Sequence, residues 1–170
     1  MKRNKNSTHK KGTKTPPQQE TIAVVGCSGY TNIGDDMYPL VLKKHFRDYN
    51  LVFKNSDLPR KLPQDTKLLI MGPGGIIYQN DSAHADYMAE YMEQAIKRNI
   101  PIVFLSCGVQ SQDISAWKKY LDYAELITVR SKKDLEYIQA VSDNKNLFEF
   151  ELYSGGDLSK FIDVNRDGLK

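Results

Sequence analysis

The sequence predicts an α/β fold: a doubly wound, mostly parallel sheet of about six strands, Rossmann-like, behind a disordered basic tail. Three observations predict it. Short apolar runs alternate along the chain with stretches of helical periodicity. The runs are apolar at consecutive positions, the form taken by strands buried on both faces of a parallel sheet. Glycine clusters follow the runs at 26–34, 72–75, 106–108 and 154–156, as loops gathered along one rim would require.

The formal net charge of +3 over 170 residues is unevenly placed. Residues 1–20 hold Lys2, Arg3, Lys5, Lys10, Lys11 and Lys14 against Glu20, a local +5; of the 24 basic and 21 acidic residues this leaves 18 and 20, a body of −2. The basic character belongs to a segment of Lys, Asn, Ser, Thr, Gln and Pro with too little apolar surface to fold. The body has no basic stripe interleaved with aromatics, so nucleic acid is not an expected partner. With 40% hydrophobic residues the chain suits one domain at 21–162, leaving 1–20 as the tail and 163–170 as a polar C-terminal tail. No run reaches membrane-spanning length and the basic N-terminus lacks an apolar segment behind it, so a soluble, cytoplasmic protein is expected. Cys27 and Cys107, each ending an expected strand at the same edge, read as free buried thiols rather than a metal site.

The first expected strand is Thr21-Ile22-Ala23-Val24-Val25. It runs into Gly26-Cys27-Ser28-Gly29-Tyr30-Thr31-Asn32-Ile33-Gly34-Asp35-Asp36, and Tyr38, Leu42, Phe46 and Tyr49 then recur at helical spacing. A turn from strand to helix lies at the carboxyl ends of the strands, where backbone N–H groups and the helix dipole hold ligands. This turn is therefore the candidate site. Its glycine spacing matches neither the dinucleotide fingerprint nor the Walker A loop, and Asp35 and Asp36 stand where the latter needs Lys. Asp36 is expected as the helix N-cap, which puts Pro39 in the first turn.

Asn50-Leu51-Val52-Phe53 reads as a second strand, followed by a polar loop to Asp65 that contains Pro59 and Pro63. Lys67-Leu68-Leu69-Ile70-Met71 is a third strand, and Gly72-Pro73-Gly74-Gly75 is expected as a second glycine turn on the same edge. Residues 82–98 form a helix with Met88, Tyr91, Met92, Ala95 and Ile96 on its core face. Ile102-Val103-Phe104-Leu105 is the fourth strand, with Ser106-Cys107-Gly108 as the turn that ends it. A short helix over 114–123 points Trp117, Leu121 and Ala124 inward. Glu125-Leu126-Ile127-Thr128-Val129 is the fifth strand, and Ser131-Lys132-Lys133-Asp134 is a capping-box pattern opening a helix to about Val141. Asn146 to Tyr153 is the sixth strand, ahead of Ser154-Gly155-Gly156-Asp157.

Arg130 falls between the fifth strand and a helix N-terminus, where a planar guanidinium grips a carboxylate or phosphate with two hydrogen bonds. The alternative is an ion pair with a neighbouring acid. His84 stands near the second glycine turn and is an outside candidate for general acid work. Asp163-Val164-Asn165-Arg166-Asp167-Gly168 copies the first half of an EF-hand loop without the glutamate at position 12, and reads as a polar turn. No metal site is expected.

Taken in order, Gly29-Tyr30-x-Asn32-x-Gly34-Asp35-Asp36, Gly72-x-Gly74-Gly75-Ile76-Ile77-x-Gln79-x-Asp81, the strand ending in Gly108, Ile127-Thr128-Val129-Arg130 and Gly156-Asp157-x-x-x-Phe161 resemble the polysaccharide pyruvyl transferase family. The resemblance spans roughly residues 21–162. It implies one Rossmann-like half of a two-domain, glycosyltransferase-like architecture with the active site in the cleft. It implies transfer of a pyruvyl group from phosphoenolpyruvate to sugar hydroxyls of a glycan as a ketal, the donor being a substrate and no cofactor being needed. Gly29, Tyr30, Asn32, Gly34, Asp35, Gly74, Gly75 and Gly108 would line the cleft, and Arg130 would contact the anionic donor. No catalytic residue is assigned. The family has an aspartate directly after the arginine and a serine a few positions on, where this chain has Ser131 and Asp134, and Pro73 removes one N–H donor from the second turn. By the resemblance, the family's second domain would follow residue 170, and a partner domain or a second copy of the chain would complete the cleft. The readings that compete with a transferase are a non-catalytic sugar- or nucleotide-binding module of the same fold and one half of a two-component transferase.

Overall fold

The structure is a computed structural model that describes residues 19–26, 33–55, 59–80 and 82–149. The expectations at Cys27, Gly29, Tyr30, Asn32, Gly155–Asp157 and 163–168 lie outside the described residues.

In chain order the elements are β1 (Thr21–Val25), α1 (Ile33–His45), β2 (Asn50–Lys54), β3 (Thr66–Met71), β4 (Gly74–Ile77), α2 (Ala83–Lys97), β5 (Ile102–Val109), a 3-10 turn (Ser115–Trp117), α3 (Lys118–Tyr123), β6 (Leu126–Val129), α4 (Lys132–Gln139) and β7 (Leu147–Glu149). Every strand pairing is parallel, in the order β2-β1-β3-β5-β6-β7, with β4 paired to β5. The strand count is seven because β3 and β4 are two lengths of one path: β3 pairs with the first half of β5 and β4 with its second half.

Alternation along the strands sorts the apolar residues onto two faces. Ala23, Val25, Leu69, Met71, Ile102, Phe104, Ile127 and Val129 share a core with Met88, Tyr91 and Met92 of α2, Trp117, Leu121 of α3 and Ile138 of α4. Ile22, Val24, Ile70 and Leu105 pack instead with Tyr38 and Leu42 of α1. Helices therefore cover both faces, which makes the sheet doubly wound and accounts for strands without polar alternation. Trp117, Leu121 and Ala124 all point inward, at 2%, 0% and 6% exposure. Truncating a side chain such as Leu69 to alanine removes about 2–5 kcal/mol by lost transfer energy and the cavity left behind.

The amino ends of the strands are tied together by polar side chains. Thr21 Oγ1 donates to Asp65 at 2.6 Å and accepts from the Asn50 amide at 3.0 Å, joining the starts of β1, β2 and β3. Asn144 Nδ2 donates to the carbonyls of Leu121 and Ala124 at 2.8 and 2.7 Å, satisfying the end of α3. Between β2 and β3 the described residues 59–65 form no helix; Gln94 of α2 holds them, donating to the Arg60 carbonyl and accepting the Leu62 N–H, while Leu62 enters the core.

Three local expectations are corrected. Asp36 is not the N-cap of α1, because the helix begins at Ile33; it lies in the first turn, and Pro39 lies inside the helix. A carboxylate is favoured throughout the first turn by the helix dipole, so its position alone does not mark the cap. Gly72–Gly75 is not a turn into a helix. The Gly72–Pro73 peptide is cis, Gly72 and Gly74 take φ of 104° and 112°, and the chain re-enters the sheet as β4. Gly108 does not follow its strand but lies inside it, since β4 gives β5 a partner to pair with as far as Val109.

Candidate anion-binding site at the carboxyl rim

The strand order fixes where a ligand site belongs. From β1 the chain moves outward to β2, then crosses back to β3 and proceeds the other way through β5, β6 and β7. The reversal lies between β1 and β3, and the crevice at their carboxyl ends is the usual ligand position in open α/β sheets. Gly26 and Gly72 face each other across it. The Gly72 N–H donates to the Val25 carbonyl at 2.7 Å, and a Cβ on Gly26 would stand 2.8 Å from the Gly72 carbonyl oxygen. That approach excludes any side chain at Gly26, which is what the glycine is for. The first glycine turn therefore starts at the reversal point, with α1 beginning seven positions later at Ile33.

Further along the rim two polar side chains lie against glycines. A methyl group on Gly108 would collide with the Arg130 guanidinium, and one on Gly75 with the Gln110 side-chain amide. Gly74 pairs with Cys107 and Ile77 with Val109, the register shifting between them, so Gly75 and Gly108 lie close together at the same end of neighbouring strands. Arg130 reaches this place because its backbone N–H still bonds the Cys107 carbonyl at 3.1 Å, prolonging the β5–β6 ladder by one residue before the chain turns into α4. Gln110 is placed likewise by its N–H, which donates to the Ile77 carbonyl at 2.8 Å. Arg130 is half-buried and Gln110 exposed.

The guanidinium has no ion pair among the described residues, so the expected alternative, a neighbouring acid, is not what holds it. The nearest candidate in sequence, Asp134, is committed elsewhere. Its Oδ2 accepts from the Ser131 hydroxyl at 2.8 Å and its Oδ1 from the Val109 N–H at 2.9 Å, while Ser131 caps α4 by accepting the Asp134 N–H. The two residues that depart from the resemblance thus pair at the N-cap of α4, and the carboxylate also anchors the end of β5. Gly74 and Gly75 lie on β4 and Gly108 on β5, all at this rim. Gly34 and Asp35 fall in the first turn of α1, whose side chains there are not described. His84 is exposed at the start of α2, with its ring centroid 4.7 Å from that of Tyr78. Gln110 was not expected from the sequence, its one cue being its position two residues after Gly108; Ser131 and Asp134 stand at the helix start, where their capping pattern puts them.

A cavity of about 270 Å³ adjoins the rim, lined by Val109, Gln110, Ser111, Gln112, Lys133, Asp134 and Tyr137. The groups with displaced pKa values stand away from it: Lys118 and Asp122 pair on α3, each favouring the other's charged form, and Glu93 and Tyr120 meet between α2 and α3. Hydrogen bonds from Lys119 and Tyr120 lower the Glu93 carboxyl, and burial followed by the bond to Glu93 raises the Tyr120 hydroxyl to about 12. Among the described residues no cluster of His, Cys, Asp and Glu is placed to hold a metal ion, and no helix is long and apolar enough to cross a membrane.

Comparison with known proteins adds one match. A family model described as polysaccharide pyruvyl transferase fits residues 32–161. No curated protein and no solved structure matches the chain.

Proposed function

The chain belongs to the polysaccharide pyruvyl transferase family, and on that premise we propose that it binds phosphoenolpyruvate at the carboxyl rim and serves transfer of its pyruvyl group to a glycan. In that reaction two sugar oxygens bond to C2 of the donor, C3 takes up one hydroxyl proton and becomes a methyl group, and phosphate leaves with the other. The product is a ketal that retains the donor carboxylate. The observation that carries the reading is the Arg130 guanidinium, laid on Gly108 at the rim with no acid paired to it among the described residues. A planar guanidinium in this position offers parallel N–H groups to a carboxylate or phosphate. Gly29, Tyr30, Asn32, Gly34, Asp35, Gly74 and Gly75 would complete the walls around the donor.

One observation favours a narrower role, that of the donor-binding half of a two-component transferase. Among the described residues the groups with displaced pKa values, Glu93 and Tyr120 between α2 and α3 and Lys118 and Asp122 of α3, stand away from the rim, whereas acid–base catalysis needs a tuned group at the site. The partner half, whether a further domain or another chain, would supply it. The test is a coupled assay of phosphate release from phosphoenolpyruvate with a panel of sugar acceptors, beside calorimetric titration of the donor. Donor binding that weakens in Arg130→Ala supports the reading, and turnover decides between a complete transferase and a half. A chain that binds no phosphoenolpyruvate would overturn both.

A further inference from the structure

We propose that Gln110 is a specificity-determining residue of this site, reading a hydroxyl of a neutral polyhydroxylated acceptor seated in the adjoining cavity, beside the anion held by Arg130. The proposal rests on the donor-binding reading and extends it to the second substrate.

Three observations on the rim support it. Gly75 and Gly108 each lie one residue beyond the paired positions Gly74 and Cys107, on adjacent strands about 4.8 Å apart, where the register shifts. The amide over Gly75 and the guanidinium over Gly108 are thus within reach of two molecules in contact. Their chemistries differ: a guanidinium only donates and carries charge, whereas a carboxamide both donates and accepts, which is the complement of a sugar hydroxyl. Among the described residues neither head group has a hydrogen-bond partner, although both are placed by backbone bonds at the end of the sheet. Gln110 also walls the cavity of about 270 Å³, whose other polar groups, on Ser111, Gln112, Lys133 and Tyr137, suit a ligand dense in hydroxyls.

The glycine under the amide provides a variant that moves Gln110 without deleting it. Gly75→Ala pushes aside the end of a flexible side chain, not backbone, so the fold tolerates it. The experiment follows the side-chain amide resonance of Gln110 and the Arg130 Nε–H resonance in the full chain, while methyl glucoside, methyl galactoside and methyl mannoside are titrated with and without saturating phosphoenolpyruvate. The expected result is that at least one glycoside shifts the Gln110 resonance, and that Gln110→Ala and Gly75→Ala each weaken this binding about tenfold, the loss of one well-placed hydrogen bond. Phosphoenolpyruvate affinity stays within twofold in Gln110→Ala. Gln110→Glu sets a carboxylate beside Arg130 and is expected to weaken phosphoenolpyruvate about tenfold by competing for the guanidinium. Should no glycoside shift the Gln110 resonance, or should binding survive both Gln110→Ala and Gly75→Ala unchanged, the proposal is overturned while donor binding by Arg130 stands. Loss of the Arg130 response to phosphoenolpyruvate, with glycoside binding intact, would instead remove the donor reading.

Discussion

The two edges of the sheet are built from the same strands and are finished in opposite ways. At the amino edge polar side chains close on one another: Thr21 with Asp65 and Asn50, Asn144 with the last carbonyls of α3, Ser142 with Asp122. At the carboxyl rim the comparable positions are glycines, and the side chains that reach them, Arg130 and Gln110, rest on bare backbone. A hydrogen bond completed within the protein adds stability but offers nothing to a ligand, and a donor left open does the reverse. The difference teaches that one rim holds the fold and the other is kept available for recognition.

The sharpest way to break this division is Arg130→Ala. If the rim exists for recognition, the substitution weakens phosphoenolpyruvate binding about a hundredfold, in line with the roughly 1.5–3 kcal/mol of a charge-assisted hydrogen bond. Thermal unfolding should move little, because the side chain has no ion pair among the described residues to lose. At the amino edge Asn144→Ala should show the inverse pattern. It removes the side-chain donor to the Ala124 carbonyl and leaves the Leu121 carbonyl with the Ala124 N–H at 3.3 Å, and urea unfolding should report a loss of about 1–2 kcal/mol with donor affinity unchanged.

Gly108→Ala sharpens the comparison further, since it leaves the arginine in place and moves only its guanidinium. Donor affinity should fall about tenfold and stability by under about 1 kcal/mol, as for a substitution that meets a flexible side-chain end. The smallest effect belongs to the link between α2 and α3. Tyr120 is held up to about 12 from 10.0, so its contribution is complete below pH 10.0 and fades as the pH rises toward 12. Glu93 is lowered from 4.5, so its contribution is complete above that pH and is lost as the pH falls through the folded value. A series of urea melts across pH should show both losses in the native chain; in Glu93→Gln the acid-side loss should vanish and the alkaline one shrink, since burial of Tyr120 remains.

Much of this architecture was legible in the sequence because burial on both faces writes uninterrupted apolar runs. Thr21–Val25 and the α2 stripe of Met88, Tyr91, Met92 and Ala95 are read directly from such patterns. The strand ends were less legible. A glycine says that a side chain is excluded, not what excludes it, so Gly72–Gly75 and Gly108 look like turns although Gly74, Gly75 and Gly108 lie within strands. The excluding groups, the Gly72 carbonyl, the Gln110 amide and the Arg130 guanidinium, come from distant parts of the chain. Arg130 could be singled out because a cation between a strand and a capping box is locally conspicuous. Gln110 could not, since only the register of β4 on β5 puts it over Gly75.

The central claim is that the Arg130 guanidinium is the group that receives the anionic donor, and it is tested most directly by following the Arg130 Nε–H resonance during a phosphoenolpyruvate titration. The account predicts a saturable shift of that resonance at the same donor concentrations that saturate calorimetric binding. A donor that binds while leaving the Arg130 resonance unmoved would contradict it.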